Sequence, residues 1–243
     1  MCEICGSNPK SFTPSRRSLL RLTASAAGLW LAGAAQAKEA KAPPKPENVI
    51  SPDASLKRLA DGNTRYVTGV ARRHDFKHER EALAGGQNPY AAILSCADSR
   101  IAPEYAFDSA RGDLFVCRIA GNFASDETVA SLEYAVAVLN VPLIMVLGHE
   151  SCGAVDATIK SLKDGTTLPG HLPSLVTALA PAVKAVSSQG GDVLVNATRQ
   201  NVIDNIAKLK AATPILSAAV EQKKIKVVGG IYGLKDGRVA MVG

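Results

Sequence analysis

Two short apolar runs, each ending in a cluster of groups that ionise or bind metals, constrain this chain more than anything else in it. Tyr90-Ala91-Ala92-Ile93-Leu94 stops at Ser95-Cys96-Ala97-Asp98-Ser99-Arg100. Pro142-Leu143-Ile144-Met145-Val146-Leu147 stops at Gly148-His149-Glu150-Ser151-Cys152-Gly153. Runs this short and this continuously apolar read as strands buried on both faces. Further strands are predicted at 114–120, 225–232 and 238–242, with helices at 126–139, 152–162, 172–186, 192–211 and 214–223. The alternation predicts an α/β fold: a mainly parallel central sheet of four to five strands flanked by helices, with an N-terminal helical arm. In that arm Ser51-Pro52-Asp53 reads as a helix start. Leu56, Leu59 and Tyr66 form an apolar face after it with no evident seat on the sheet, and 75–84 is a charged, solvated helix.

Ligands in parallel sheets bind beyond the carboxyl ends of the strands, so Cys96 and His149 should emerge on one edge. His149 and Cys152 are three apart at a predicted helix start, and Cys96 adds a second sulfur from the other strand end. Two thiolates and an imidazole form a Cys2His set with one position left open, the arrangement of a catalytic zinc rather than a structural one. The helix start at Gly153 favours the Cys152 thiolate through its free N–H groups. Asp98, clamped by Arg100, lies two residues from Cys96 and is placed to accept a hydrogen bond from a zinc-bound hydroxide.

Residues 1–37 read as an export signal of twin-arginine type: Arg16-Arg17, an Ala- and Gly-rich apolar stretch, then Ala35-Gln36-Ala37 as cleavage site. An ordinary secretory signal is the alternative, and either reading leaves no stable membrane anchor after cleavage. A periplasmic or otherwise exported location follows. The Cys2-Glu3-Ile4-Cys5 pair would be lost with the signal. Lys38 onward to residue 50 is a Lys/Ala/Pro linker, and 51–243 forms one domain. The formal charge of +6 falls to +3 without the first 37 residues, which hold four basic groups and one acidic. No basic stripe interleaved with aromatics remains, which excludes nucleic acid as the expected partner and points to a small soluble substrate. Five cysteines at irregular spacing suggest no disulfide framework, and Cys117 reads as strand filling.

The two motifs, Cys96-Ala97-Asp98-Ser99-Arg100 and His149-Glu150-Ser151-Cys152, resemble those of the β-class carbonic anhydrases, and the resemblance extends over about residues 51–243. It implies reversible hydration of carbon dioxide to bicarbonate and a proton, with one zinc ion per subunit held by Cys96, His149 and Cys152. Asp98 would orient the hydroxide and Arg100 would orient Asp98. It also implies a substrate pocket of Gln87, Phe115, Ala120, Tyr134 and Gly153. The assembly would be a homodimer or homotetramer, with Gln87, Phe115 and Tyr134 contributed across the subunit interface and the N-terminal helices embracing the partner. Some members of the family close the site by ligating zinc through the aspartate; Gln87 leans toward the open type. Three rivals remain: a carbon disulfide or carbonyl sulfide hydrolase of the same family, a catalytically silent zinc-binding scaffold, and thiol redox chemistry at Cys96 and Cys152. His171 reads as a solvated loop residue rather than a proton shuttle, and Glu150 as either a neighbour of the site or solvent-exposed.

Overall fold

Residues 49–242 are described by a computed structural model; the expected signal, most of the linker, Cys2 and Cys5 lie outside them. Five strands form one sheet of order β2-β1-β3-β4-β5, where β1 is Ala91–Ser95, β2 Leu114–Arg118, β3 Leu143–His149, β4 Lys226–Tyr232 and β5 Val239–Val242. The first four run parallel and β5 is antiparallel to β4. Every residue of β1 and β3 is buried, as their unbroken apolar runs require. The third strand extends two residues beyond the apolar run, through Gly148, so His149 is its last residue and does not follow it.

Side chains alternate across the sheet. Ala92, Leu94, Ile144 and Val146 face helices α4 (Asp126–Ala137), α7 (Val193–Ala211) and α8 (Ile215–Glu221). Ala91, Ile93, Leu143, Met145 and Leu147 face α1 (Pro52–Val67) and the short α3 (Pro103–Ala106). Helices α5 (Gly153–Asp164) and α6 (Leu172–Val186) pack with the start of α7 in a third cluster that includes Cys96 and Cys152. The starts of α1, α4 and α7 are set by Ser51, Ser125 and Asp192, whose side chains accept from the first free N–H groups. Helix α2 (Phe76–Leu83), capped by Asp75, buries none of its residues, in keeping with its charge.

The first helix departs from expectation. Leu59 is fully buried against Tyr90, Ile93, Phe107 and Met145 of its own chain, with Leu56 partly buried beside it. Full burial of such a side chain contributes about 1.5–3 kcal/mol. Polar contacts fix the docking: Ser55 Oγ donates to Tyr90 O at 2.6 Å, and Asn63 Nδ2 donates to Ala106 O and Gly237 O at 2.9 and 2.8 Å. The apolar face therefore has a seat on the sheet. Close approach requires Gly62, where an added Cβ would lie 1.9 Å from Phe107 O. Gly62→Ala is expected to destabilise the fold by about 1–3 kcal/mol through overpacking, read as a lower urea midpoint.

Among the described residues no helix is long and apolar enough to cross a membrane.

Candidate metal centre

Strands β1 and β3 are hydrogen-bonded neighbours with Ser95 level with Leu147, so Cys96 and His149 leave the sheet side by side. Cys152 stands at the N-cap of α5, three residues on. The turn that brings it round uses Ser151 at φ +51, a left-handed conformation few non-glycine residues adopt. One ligand atom from each of Cys96, His149 and Cys152 lies within 4.8 Å of the others, and all three residues are buried. Both cysteines are free thiols.

The imidazole reveals what these groups fit. His149 Nδ1 is 2.8 Å from Glu150 O. A carbonyl only accepts, so Nδ1 carries the proton and Nε2 presents a lone pair. That Nε2 is buried and has no hydrogen-bond partner. A buried acceptor left unpaired is costly, and here it sits beside two sulfurs, the donor set zinc prefers. The sulfurs suit the same role. The Cys96 thiol is drawn well down, chiefly by the hydrogen bond from the Cys152 thiol; burial opposes this, while the Gly121 and Asp98 N–H groups add to it. Cys152, as the donor of the pair and buried, is pushed up. One sulfur is thus readily a thiolate, the form that binds metal.

Asp98 lies at the rim of this trio, its Oδ2 3.9 Å from His149 Nε2. Arg100 holds it in a fork: Nε donates to Oδ1 at 2.9 Å, Nη2 to Oδ2 at 2.7 Å, and the Arg100 backbone N–H to Oδ1 at 2.9 Å. The guanidinium keeps the carboxyl well below the usual carboxylate range, against a smaller opposing effect of burial. The aspartate is therefore engaged by arginine.

Ala120 and Gly153 come together in one cleft. With Ala154, Leu168, Leu172 and Val176 they line an apolar cleft of about 230 Å³ at the start of α5. Gln87, Phe115 and Tyr134 are placed elsewhere in the same chain. Gln87 precedes β1, so the strand, about 16 Å long, separates it from Cys96. Phe115 is level with Ala92 near the start of β1 and packs on the exposed Tyr134 with ring centroids 6.3 Å apart. Glu150 is exposed, and its Oε2 accepts from Leu234 N–H at 3.0 Å. His171 is exposed just ahead of α6. Cys117 is half-buried, and desolvation raises its thiol.

Two contributors, in the stretch Arg118-Ile119-Ala120-Gly121-Asn122, were given no role from the sequence. Arg118 Nε donates to Cys96 O at 3.0 Å and its Nη2 to Asp98 O at 2.7 Å, bracing the Cys96–Asp98 loop from the neighbouring strand. Gly121 N–H donates to Cys96 Sγ at 3.3 Å. The available signal for Arg118 was its place at the end of the second apolar run, which a parallel pairing puts level with Ser95.

These features define a class: α/β proteins that bind a transition metal through two thiolates and an imidazole and keep an ionised carboxylate beside it. The family model described as carbonic anhydrase matches residues 91–239. Carbonic anhydrase 2 of Mycobacterium tuberculosis is 40% identical over 192 residues, covering 79% of this chain and 93% of that protein. Among solved structures, the β-carbonic anhydrase CcaA superimposes with a TM-score of 0.59 at 26% identity, over 77% of this chain and 98% of that one. One of two tetrameric β-carbonic anhydrases from Sordaria macrospora gives 0.63 at 24% identity, over 79% and 98%, a likeness of fold. The chain belongs to the carbonic anhydrase family, in its β class.

Proposed function

We propose that this chain is an exported enzyme that hydrates carbon dioxide reversibly, with zinc held by Cys96, His149 and Cys152. The observation that carries the reading is the unpaired, buried His149 Nε2 between two sulfurs, with an arginine-anchored carboxylate 3.9 Å away. Zinc bound there supplies a Lewis acid that draws the pKa of a coordinated water down to about 7. Asp98 stays ionised at working pH and would accept a hydrogen bond from the reacting water, fixing the direction of its lone pair. Arg100 and Arg118 prevent that carboxylate and its loop from turning away. The apolar lining of the cleft at Ala120 and Gly153 suits a small apolar substrate.

Stopped-flow hydration measured together with zinc content tests this reading. Zinc near one equivalent with turnover of carbon dioxide well above that of carbon disulfide and carbonyl sulfide is expected. Preference for either sulfur compound would instead favour the hydrolase reading, and full zinc without turnover a scaffold.

The even-numbered oligomer is supported by the placement of Gln87, Phe115 and Tyr134 away from their own chain's sulfurs and by exposed Tyr134 and Val138 beside edge strand β2. Across a subunit interface those three could complete a neighbour's pocket; light scattering reads the oligomer size. Export through the twin-arginine route, with cleavage after Ala37, rests on the leader alone. Replacing Arg16 and Arg17 together by lysine is expected to leave the protein in the cytoplasm, seen by fractionation. Undiminished export would support the ordinary secretory signal.

A further inference from the structure

Helix α7 reaches the loop behind Cys96 through a line of amides. Ala124 N–H donates to Asn205 Oδ1 at 2.7 Å. Asn205 Nδ2 donates to Asn201 O at 2.7 Å and to Asn201 Oδ1 at 2.9 Å. Asn201 Nδ2 donates to Gly121 O at 2.8 Å, and Gly121 N–H donates to Cys96 Sγ. Lys208 closes the far end by donating to Ala124 O at 2.6 Å.

Chemistry forces both amide orientations. A backbone N–H only donates, so the Asn205 atom facing Ala124 is oxygen and its NH2 turns to Asn201. A carbonyl only accepts, so Asn201 turns its NH2 to Gly121. Both asparagines are buried. Burying an amide is costly unless it is bonded, and a helix needed only to cover the sheet would present apolar side chains here, as Val202, Ile206 and Leu209 do.

Gly121 itself has little freedom. Its φ is +85, and an added Cβ would lie 2.8 Å from Leu179 Cδ1. Leu179 confines it on one side, and Asn201 holds its carbonyl on the other.

We propose that Asn201 and Asn205 are positioning residues for the metal centre: they fix Gly121 so that its N–H bonds the Cys96 sulfur, and thereby set the charge that sulfur gives to the metal. The proposal rests on the reading of Cys96 as a zinc ligand. A hydrogen bond to a ligating thiolate withdraws charge from sulfur, and such outer partners typically change metal affinity by about 10–100-fold. Losing the amide line frees the loop, weakens that bond and leaves more charge on Cys96.

Cobalt-substituted protein tests this, because the thiolate-to-cobalt charge-transfer band reports sulfur charge directly. Asn201→Asp keeps the shape but turns an oxygen toward Gly121 O; if it does not fold, Asn201→Ser is read in its place. Ser55→Ala is the control, since it removes a buried hydrogen bond to Tyr90 O on the first helix, away from the site. The Asn201 variant is expected to shift the band to longer wavelength through the added sulfur charge, and to release zinc to a chelator about 10-fold faster because the freed loop no longer holds Cys96 in place. The control is expected to unfold at lower urea with the band and the release rate of wild type. A wild-type band and release rate in the Asn201 variant would overturn the proposal, as would equal changes in the control. A wild-type protein with no thiolate-to-cobalt band would overturn the ligand assignment itself.

Discussion

Cys96→Ala protein will purify almost free of zinc and hydrate carbon dioxide at least about 100-fold more slowly than wild type, since a lost ligand costs more than the 10–100-fold of a lost outer partner. With Cys96 gone, His149 and Cys152 are left as two ligands, too few to hold a labile zinc against dilution. The defect should persist in excess zinc. Folding loss is separable from metal loss, because Cys96 is a single small side chain at the end of a strand whose five residues are all buried. The far-UV spectrum and a cooperative urea transition should therefore survive, at a lower midpoint. Metal analysis and stopped-flow hydration on the same sample check the result. Normal zinc with normal turnover would remove Cys96 from the metal centre. Normal zinc with turnover that depends on reductant would support thiol redox chemistry.

The second large effect separates binding from catalysis. Asp98→Asn is expected to retain zinc, because both carboxylate oxygens are engaged by Arg100 and neither serves the sulfur–imidazole trio. Its kcat should fall by about 100-fold, since misorienting one reacting group costs that much. KM should change little, the signature of an interaction made in the transition state. The amide presents an NH2 where Arg100 needs an acceptor, so the bidentate fork is lost along with the charge. Arg100→Lys, which keeps the charge but not the fork, should give a smaller loss. Asp98 lies so far below the ordinary carboxylate range that it stays ionised across the working pH. The substitution should therefore lower the plateau of the pH–rate profile without moving its midpoint. Full activity in this variant would sink the proposed role of Asp98.

What could be read from the sequence was whatever depends on residue type at a strand end. Cys96, Asp98, Arg100, His149 and Cys152 were legible because few other duties place thiols, an imidazole and a paired carboxylate after buried strands. The parallel sheet was legible for the same reason, since β1 and β3 are apolar at every position of the run. Arg118 and Gly121 were hidden because their bonds to the site use a backbone carbonyl, a backbone N–H and a sulfur, and no side-chain pattern encodes those. Asn201 lies 80 residues from Gly121, and an asparagine on a long helix looks like a solvated position. The seat of Leu59 was illegible because an apolar helix face fits any apolar surface, and only Gly62, Asn63 and Ser55 choose this one.

Edge strand β2 carries a share of the chemistry out of proportion to its position. Arg118 reaches Cys96 O and Asp98 O because it stands level with Ser95. Strand side chains repeat every two residues, so a slip of β2 by one place would turn Arg118 to the opposite face and release the loop that carries both a ligand and the carboxylate. A strand paired on one side only is the least protected against such slippage. Anything that lines the free edge of β2 therefore steadies the chemistry one strand inward, without contacting a single reacting group.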